Sequence, residues 1–312
     1  MKNVFCIGEL LIDFVAEKQG SDLSKAIDFT KKAGGAPANV ACAISKLGGE
    51  SAFIGCVGND PFGTFLLDIL VTHGVDISMA QRSSTFTTLA FVSLAEDGER
   101  DFVFSRGADK ELQYDPEYRN KFKGNIIHLG AATALLGGNL ENAYKRYFFD
   151  ALNQGAFICF DPNFRADLWK GKEKVFIEKC LPYIEKSDLC KFSMEEAQLL
   201  SGKEDLNEAC DFLHEIGAKT ITITLGGDGT LLSTSKTKQI IPSIKVSPVD
   251  TTGAGDAFIG CLLQQISALE DFSLVFNDET LLATMVLKAN KAGAITTTNY
   301  GAIESLPNPN QL

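Results

Sequence analysis

The residues best suited to chemistry lie in the last third of the chain, where residues 248–258 spell Pro-Val-Asp-Thr-Thr-Gly-Ala-Gly-Asp-Ala-Phe. The segment follows a β-type run and opens an apolar stretch, which predicts a helix N-terminus at Gly253, Ala254 and Gly255. Backbone N–H groups there can converge on an anion, and the helix dipole favours the same charge. For Asp256 we infer acceptance of a proton from a substrate hydroxyl beside a transferring phosphoryl group. A tight turn capped by Asp256 explains these residues alone equally well.

A second candidate segment lies near the N-terminus, where residues 33–41 spell Ala-Gly-Gly-Ala-Pro-Ala-Asn-Val-Ala. Gly34 and Gly35 precede a predicted helix and would let a ligand lie against the backbone. The Asn39 amide can both donate to and accept from hydroxyl groups. Asp13, close after the first strand, is a suitable acceptor for a pair of sugar hydroxyls. These residues predict a polyol site, although paired glycines more often form a plain turn.

The common nucleotide-binding motifs are absent from the sequence. No Gly-x-x-x-x-Gly-Lys-Ser/Thr occurs, which excludes a P-loop enzyme. The first strand ends in Gly8-Glu9-Leu10 without the Gly-x-Gly-x-x-Gly of a dinucleotide-binding fold. The three histidines are far apart and match no zinc-ligand spacing. The predicted anion site therefore lies in the last third of the chain instead of the usual N-terminal position.

Composition narrows the range of partners. The 312 residues include 29 Lys+Arg and 40 Asp+Glu, and the net charge of −11 argues against nucleic acid or an anionic membrane as partner. The eight cysteines form no Cys-x-x-Cys pair and mostly occupy apolar runs, as expected of buried thiols in a reducing compartment. Because the sequence has neither a secretory leader nor an apolar run of about 18 residues, we expect a cytoplasmic protein.

Strand and helix patterns alternate along most of the chain. Short runs rich in Ile, Val, Phe and Cys predict strands at residues 4–7, 51–57, 125–129, 156–160, 188–191 and 219–225. Amphipathic stretches predict helices at residues 37–47, 61–73, 140–152, 172–184, 195–200 and 206–216. This alternation indicates βαβ units. We therefore predict an α/β fold with a mostly parallel sheet covered on both faces, in a single domain spanning residues 1–312.

One region departs from this alternation. Residues 87–95 and 100–106 are β-type runs on either side of a turn-prone Glu-Asp-Gly-Glu at 96–99, which predicts a half-exposed hairpin. Residues 10–15 and 26–32 can pair with that hairpin. Lid segments at about residues 10–32 and 86–106 are therefore predicted to form a small sheet outside the main one.

Taken together, the Gly-Gly-x-Pro-x-Asn and Asp-Thr-Thr-Gly-Ala-Gly-Asp-Ala-Phe segments resemble the two signatures of the ribokinase-like, or PfkB, carbohydrate kinases. The resemblance extends from Gly8 to Gly301. Within the family the sequence is most similar to bacterial and plant fructokinases, through residues 8–13, 161–165 with 168–169, and 191–196. The resemblance implies a ribokinase-like, Rossmann-type three-layer α/β/α sandwich with a small β-sheet lid.

The resemblance also implies roles for individual residues. Asp256 matches the catalytic base, and Gly253, Ala254 and Gly255 match the anion hole. The positions matching the sugar site are Asp13, Gly34, Gly35 and Asn39. The positions matching the site for ATP and Mg²⁺ are Ser193, Glu196, Thr224, Gly226, Gly227, Gly229 and Asn290. Ser193 is a departure, because most of the family has asparagine at the start of this Asn-x-x-Glu motif.

Two further expectations come from the resemblance. The family often holds a monovalent cation near the anion hole, and the comparable positions for K⁺ are Asp250, Thr252, Thr296, Asn299, Gly301 and Ser305. Lid sheets of this type leave exposed edges, and pairing two of them hides those edges. A homodimer through the lid is therefore expected.

Arg106 and Arg165 complete the candidate set. Guanidinium groups suit phosphate and vicinal oxygens, so both are predicted to contact phosphate or substrate, with solvated surface arginines as the alternative. We expect ATP-dependent conversion of D-fructose to fructose 6-phosphate. Paired arginines also occur in sister kinases that act on 2-keto-3-deoxygluconate, which is the alternative substrate. A non-catalytic sugar or nucleotide sensor is the alternative from a different class.

Overall fold

The secondary structure alternates strands and helices in the predicted way. The computed structural model describes residues 1–17, 20, 22–94 and 100–312. The strands are β1 (Asn3–Ile7), β2 (Leu11–Ala16), β3 (Phe29–Gly34), β4 (Glu50–Ile54), β5 (Cys56–Gly58), β6 (Gln81–Ser83), β7 (Leu89–Leu94), β8 (Arg100–Ser105), β9 (Ile126–Gly130), β10 (Phe157–Asp161), β11 (Leu189–Ser193), β12 (Thr220–Thr224), β13 (Thr230–Thr234) and β14 (Lys238–Ile241). The helices are α1 (Ala36–Lys46), α2 (Pro61–Thr72), α3 (Gly138–Asn153), α4 (Ala166–Trp169), α5 (Glu173–Lys186), α6 (Met194–Ser201), α7 (Leu206–Ile216), α8 (Ala254–Ser267), α9 (Leu274–Asn277) and α10 (Glu279–Thr296).

The main sheet has the strand order β14-β13-β12-β11-β10-β9-β1-β4. Neighbouring strands are parallel from β4 through β12, and β13 and β14 add an antiparallel edge. Alternate residues of each strand face opposite layers. Val4 and Cys6 pack with α1, α2, α8 and α10, whereas Phe5 and Ile7 pack with α3, α5, α6 and α7. The predicted three-layer fold with a mostly parallel sheet is confirmed, and the parallel strands direct their carboxyl ends to one edge, where such sheets bind ligands.

Residues 51–57 form two strands, whereas the sequence pattern predicts one. β4 belongs to the main sheet, and β5 pairs with β6 in a separate two-stranded sheet. The chain changes sheets at Gly55, where a Cβ would lie 2.5 Å from the carbonyl oxygen of Gly8. The close approach of β1 at this point permits only glycine, and it marks the break that apolar composition alone does not reveal.

The edge hairpin β13–β14 and helix α10 are absent from the sequence-based prediction. β13 is buried along its whole length, although three of its five residues are Thr or Ser. Its hydroxyl-bearing side chains conceal the strand, because a buried strand usually shows a continuous apolar run. The antiparallel pairing of β12 with β13 extends the sheet beyond the predicted strands.

The small predicted sheet is present, with the order β3-β2-β7-β8. β2 pairs with β3 in antiparallel and with β7 in parallel orientation, and β7 and β8 form the predicted hairpin. The predicted turn at 96–99 lies outside the described residues. Phe14 stacks on Phe91 at 5.4 Å between ring centroids and meets Phe62 of α2 edge-on at 5.9 Å. These rings attach one face of the sheet to the body of the protein.

All eight cysteines are free and buried, as the sequence predicts. Desolvation raises the pKa of the Cys56 thiol to about 11, with smaller contributions from Glu111 and Asp109. Such a thiol stays protonated near neutral pH and packs as a small apolar group. In the described ranges, no helix is long and apolar enough to cross a membrane.

Candidate active site

The two predicted segments meet at a hydrogen bond between α1 and α8. Asn39 Nδ2 donates to Asp256 Oδ2 at 2.8 Å. The helices can approach closely because Gly260 has no side chain. A Cβ at this position would lie 2.5 Å from the Cβ of Ala43. Gly253, the N-cap of α8, has a φ of 78°, and a Cβ there would lie 2.5 Å from the Cβ of Ala302. The turn that presents the N–H groups of α8 therefore requires glycine at this position.

Asp256 lies in the first turn of α8 among several charges. Burial raises the pKa of Asp256 above its usual value. The Asn39 hydrogen bond and the positive charges of Lys191 and Arg165 oppose that shift, while Asp161 adds to it. The carboxylate thus has a fixed orientation and a stronger tendency to accept a proton than an exposed aspartate has.

A buried ion pair lies beside this turn, where β10 and β11 end. Lys191 Nζ lies 3.1 Å from Asp161 Oδ2, and the two residues are only 7% and 1% exposed. Burial alone would lower the pKa of Lys191, but the charges of Asp161, Glu196 and Asp256 hold it above its usual value. A Cβ on Gly255 would lie 3.2 Å from the same Nζ. The ammonium therefore lies against the first turn of α8.

Glu196 and Ser193 form a capping box at the start of α6. The Glu196 carboxylate accepts backbone N–H groups from Ser193 and Phe164, both at 2.7 Å. Burial raises the pKa of Glu196, opposed first by the charge of Lys191. The serine that departs from the family pattern is the N-cap, and its hydroxyl accepts the Glu196 N–H at 3.1 Å.

The predicted sugar residues lie together between the small sheet and α1. A Cβ on Gly34 would lie 2.0 Å from Asp13 Oδ2, so the Asp13 carboxylate covers this glycine. Gly35 has a φ of 111°, and a Cβ there would lie 2.5 Å from the Glu9 carbonyl oxygen. Asn39 Oδ1 is buried and has no hydrogen-bond partner in the described part of the chain. These neighbouring residues thus present a carboxylate and an amide oxygen that can accept hydroxyl hydrogens.

The two predicted arginines differ in their partners. Arg106 donates to Asp109 Oδ2 from Nε at 3.1 Å and from Nη2 at 2.8 Å. Asp109 is buried and also accepts the hydroxyl of Thr88. Arg165 donates only to its neighbour, the Phe164 carbonyl, at 3.1 Å among the contacts described. Arg106 is therefore committed to an internal carboxylate, and Arg165 is the freer guanidinium.

The glycines predicted to line the nucleotide follow β12. A Cβ on Gly226 or Gly227 would meet no atom within 4 Å in the described structure. Gly229 has a φ of 108°, and a Cβ there would lie 2.1 Å from the Ile241 carbonyl oxygen. Thr224 Oγ1 donates to the Phe192 carbonyl at 3.3 Å. The first two glycines leave the backbone open to a ligand, and the third permits the turn into β13.

The side-chain amide of Asn290, predicted to lie near the nucleotide, is hydrogen-bonded to other residues of the protein. Its Oδ1 accepts the Thr230 hydroxyl at 2.6 Å, and its Nδ2 donates to the carbonyls of Ile241 and Pro242 at 2.8 and 3.2 Å. The side chain therefore ties α10 to the β13–β14 hairpin. Its amide does not point to a ligand in this arrangement.

Three of the six predicted cation positions are joined directly. Asp250 Oδ1 accepts the N–H and the hydroxyl of Thr252 at 2.9 and 2.6 Å, and Asp250 Oδ2 accepts the Gly301 N–H at 3.1 Å. The other three lie nearby in sequence on α10 or the following loop, where the Thr296 hydroxyl donates to Ala292, Asn299 donates to Thr298, and Ser305 donates to Tyr300. Asp250 therefore joins the turn at Thr252 to the loop at Gly301.

Glu9 and His128 are two further buried ionisable residues that the sequence-based prediction does not include. Glu9 Oε1 accepts the Ala36 N–H at 3.2 Å, while Oε2 has no hydrogen-bond partner among described residues. Burial raises the pKa of Glu9 to about 7. His128 is fully buried with neither ring nitrogen bonded in the part described, and burial lowers its pKa to about 4. A single ionisable residue inside an apolar run, as in Ile-Ile-His-Leu, is the signal that could have found His128.

Comparison with known proteins identifies the family. The sequence pattern that defines the pfkB family carbohydrate kinases matches residues 1–309. Fructokinase-1 of Zea mays is 39% identical over 309 residues, covering 97% of this chain and 94% of the maize protein.

Solved structures of related kinases share the fold. The fructokinase of Xylella fastidiosa with bound ATP has a TM-score of 0.88 at 30% identity, covering 99% of this chain and 96% of that one. The aminoimidazole riboside kinase of Salmonella enterica, complexed with aminoimidazole riboside and an ATP analog, has a TM-score of 0.84 at 30% identity, covering 99% and 98%. Because the family pattern and these similarities extend over nearly the whole length, this chain belongs to the pfkB family of carbohydrate kinases.

Proposed function

We propose that this protein is a fructokinase, which transfers the γ-phosphoryl group of ATP to D-fructose and forms fructose 6-phosphate. The observation that carries the proposal is the 2.8 Å hydrogen bond from Asn39 to Asp256. It fixes a carboxylate where the sugar-side helix α1 meets the glycine turn of α8. The similarity to the maize and Xylella fastidiosa fructokinases supports fructose as the acceptor.

Asp256 acts as the general base in this proposal. The primary hydroxyl oxygen of fructose forms a bond to the γ-phosphorus, and the bond from that phosphorus to the β,γ-bridging oxygen breaks, so that ADP leaves. The hydroxyl proton passes to Asp256, whose raised pKa makes the transfer more favourable. Backbone N–H groups of Gly253, Ala254 and Gly255 hold the charge that develops on the transferring phosphoryl oxygens.

The sugar is oriented by the residues between the small sheet and α1. Asp13 and Asn39 Oδ1 accept its hydroxyl hydrogens, and Gly34 and Gly35 let the ring lie against the backbone. Arg165, which has no carboxylate partner among the described contacts, donates to a substrate or phosphate oxygen. Arg106 contributes through the Asp109 pair that shapes the same wall.

ATP lies over Gly226, Gly227 and Gly229 in this proposal, with Thr224 and Asn290 shaping the surrounding backbone. Mg²⁺ on the phosphates supplies charge neutralisation. Within the described ranges no cluster of three or more His, Cys, Asp and Glu could hold a metal by itself. The oxygens of Glu196 each accept one N–H and keep lone pairs for metal-bound water, and Ser193 fixes that carboxylate. These residues fit an ion that keeps much of its water and binds phosphate oxygens.

We also propose a K⁺ site beside the anion turn. Asp250 already joins Thr252 to Gly301. Carbonyl and hydroxyl oxygens suit a weakly hydrated cation. The proposed ligands of this kind belong to Thr252, Thr296, Asn299, Gly301 and Ser305. Replacing K⁺ by tetramethylammonium in the kinase assay should lower kcat, and an unchanged rate would remove the site from the proposal.

The whole chain is proposed to act as one kinase unit in which the small sheet closes over the sugar and excludes water. β3 and β8 each have a single neighbour in that sheet. Val15 and Val103 are exposed on it. Because open edges favour pairing with another sheet, we propose a homodimer through the lid, which light scattering would measure.

A sugar panel tests the proposed function. The protein is incubated with ATP, Mg²⁺ and fructose, glucose, ribose, 2-keto-3-deoxygluconate or aminoimidazole riboside, and ADP release is followed. We expect the highest kcat/KM with fructose. A preference for the acid sugar or for the riboside would overturn fructose but keep the kinase, whereas binding without ADP release from any sugar would favour a sensor.

A further inference from the structure

Lys191 is almost completely buried, yet its ammonium is only loosely bound by the protein. In the part of the chain described, its sole hydrogen-bond partner is Asp161 Oδ1, at 3.4 Å. Asp161 Oδ2 is nearer, at 3.1 Å, but accepts no hydrogen bond from the described residues. An ammonium group has three N–H donors. At least one of them is therefore directed away from Asp161.

The position of Gly255 shows where that ammonium lies. A Cβ on Gly255 would have two near neighbours within 4 Å, Nζ of Lys191 at 3.2 Å and Cε of Lys191 at 3.5 Å. Gly255 is not among the residues with positive φ, so its backbone does not require glycine. The missing side chain instead leaves room for Lys191 beside the N–H groups of the anion turn.

The surrounding charges exceed what an isolated ion pair needs. The carboxylates of Asp161, Glu196 and Asp256 all raise the pKa of Lys191 and keep it protonated. When Asp256 accepts the substrate proton, one of these negative charges disappears. The ammonium can then interact more strongly with an incoming anion, because less negative charge from the protein remains to balance it.

We propose that Lys191 is a catalytic residue whose ammonium contacts the transferring phosphoryl group, together with the N–H groups of residues 253–255. This inference rests on the proposed function. Lys191 stays protonated throughout and forms no covalent bond. It supplies a point charge to the phosphoryl oxygens as the bond to ADP breaks. Gly255 is glycine so that this charge and the backbone donors can reach the same oxygen atoms.

The test uses Lys191→Met together with the double variant Lys191→Gln/Asp161→Asn, in which two amides replace the ion pair. The double variant removes the risk that a buried, unpaired Asp161 prevents folding. Kinase turnover is measured with ATP and fructose, and calorimetry measures binding of ADP and of the non-hydrolysable analogue AMPPNP, each with Mg²⁺. Lys219→Met is the matched control, because Lys219 pairs with Asp188 at 2.7 Å on the same sheet but is far more exposed.

We expect kcat to fall at least ~10²-fold in both Lys191 variants, the size typical for loss of a transition-state charge contact. AMPPNP affinity should fall at least about tenfold while ADP affinity stays within about threefold, since only AMPPNP carries the third phosphate. A double variant with wild-type kcat, or with equal losses for ADP and AMPPNP, would make Lys191 merely a partner of Asp161. Failure of the double variant to fold would also assign the lysine a structural role. The nucleotide comparison does not depend on which sugar is phosphorylated, so a wrong acceptor in the sugar panel leaves this test intact.

Discussion

Two lysine–aspartate pairs lie at opposite ends of the parallel strands, which we call the carboxyl edge and the amino edge of the main sheet, and they are built very differently. Asp161 is the last residue of β10 and Lys191 lies two residues before the end of β11, with side-chain exposures of 1% and 9%. Lys219 and Asp188 lie just before β12 and β11, at the amino ends, with side-chain exposures of 57% and 13%. The second pair is complete, because Asp188 Oδ2 also accepts the Ile158 N–H at 2.8 Å. In the first pair, Asp161 Oδ2 is buried and accepts no hydrogen bond within the described part of the chain.

This difference distinguishes a structural edge from one prepared for a ligand. At the amino edge Asp188 accepts from both Lys219 and the Ile158 N–H, and Lys219 is largely exposed, as folding stability alone requires. At the carboxyl edge Asp161, Glu196 and Asp256 surround one lysine, and the buried Asn39 Oδ1 and Glu9 Oε2 have no hydrogen-bond partner among the residues that the structure describes. Desolvated groups of this kind lower stability unless they gain interactions elsewhere. A bound sugar and nucleotide would supply those interactions.

The largest effect should come from the carboxylate at the centre of the carboxyl edge. Asp256→Asn keeps the shape of the side chain and its place in the first turn of α8, so folding should change little. Turnover should fall at least ~10²-fold, because the amide cannot accept the hydroxyl proton. Steady-state kinetics with ATP and fructose measure the loss, and urea unfolding checks the fold. Near-normal turnover in a folded variant would remove Asp256 from its proposed role.

The next effect separates a neutral sugar from an acid sugar. Asp13→Ala removes a hydroxyl acceptor and should raise the KM for fructose at least about tenfold, which corresponds to ~1.4 kcal/mol. Arg165→Ala should be the milder change for fructose, and the more harmful one for a carboxylate substrate such as 2-keto-3-deoxygluconate. KM is measured for both sugars with both variants. If Arg165→Ala proves worse and the acid sugar is preferred, fructose is the wrong acceptor.

Arg106 is a poorer probe of substrate charge than Arg165. Removing its guanidinium would leave Asp109 buried without its cation, so Arg106→Ala should destabilise the fold by itself. Thermal unfolding of Arg106→Ala, with Arg106→Ala/Asp109→Asn beside it, checks this expectation. A more stable double variant would assign the loss to the unpaired Asp109.

A smaller effect is expected at the amino edge. Lys219→Met removes a largely exposed ammonium, and a pair of this kind contributes at most ~1 kcal/mol to the free energy of unfolding. The kcat should stay within about twofold of the wild type, because the residue lies at the edge away from the site. Urea unfolding and steady-state kinetics measure both quantities. A large loss of kcat would show that the two edges are coupled.

The sequence predicts the glycine turn and the polar residues at the carboxyl edge better than the ionisable residues buried within the strands. The glycine turn at 253–255, Asp13 and Asn39 are visible because the two segments together match the family signatures, although each segment alone also fits an ordinary turn. The parallel strands also follow from their apolar runs. Lys191 and His128 are single ionisable residues inside such runs, and only the strand register shows that they face the layer of α1 and α8. The hydrogen bonds of Asn290 could not be predicted either. They depend on the β13–β14 hairpin, which the sequence pattern does not predict.

The smallest effect should be the combined contribution of Glu9 and His128 to the pH dependence of stability, because these two buried groups act in opposite directions. Burial lowers the pKa of His128 from 6.5 to about 4, so its contribution to stability is present above pH 6.5 and is lost as the pH falls through 4. Burial raises the pKa of Glu9 from 4.5 to about 7, so its contribution is present below pH 4.5 and is lost as the pH rises through 7. Between pH 7.5 and pH 5 each group changes the free energy of unfolding by about 2 kcal/mol, and the signs are opposite.

Single substitutions should expose these two contributions. Glu9→Gln keeps an acceptor for the Ala36 N–H but cannot take up a proton, so the variant should lose about 2 kcal/mol relative to wild type when the pH is lowered from 7.5 to 5. His128→Leu removes a group that the unfolded chain protonates in this interval but the folded protein largely does not, so this variant should gain a similar amount over the same interval. Urea unfolding at both pH values, with wild type measured in parallel, gives the two differences. If the stability of Glu9→Gln follows the wild-type pH curve, Glu9 takes up no extra proton in the folded protein. Its Oε2 atom is then stabilised by other means than protonation. If both variants shift in the same direction, the opposing signs are wrong, and charges elsewhere control the acid side of the stability curve.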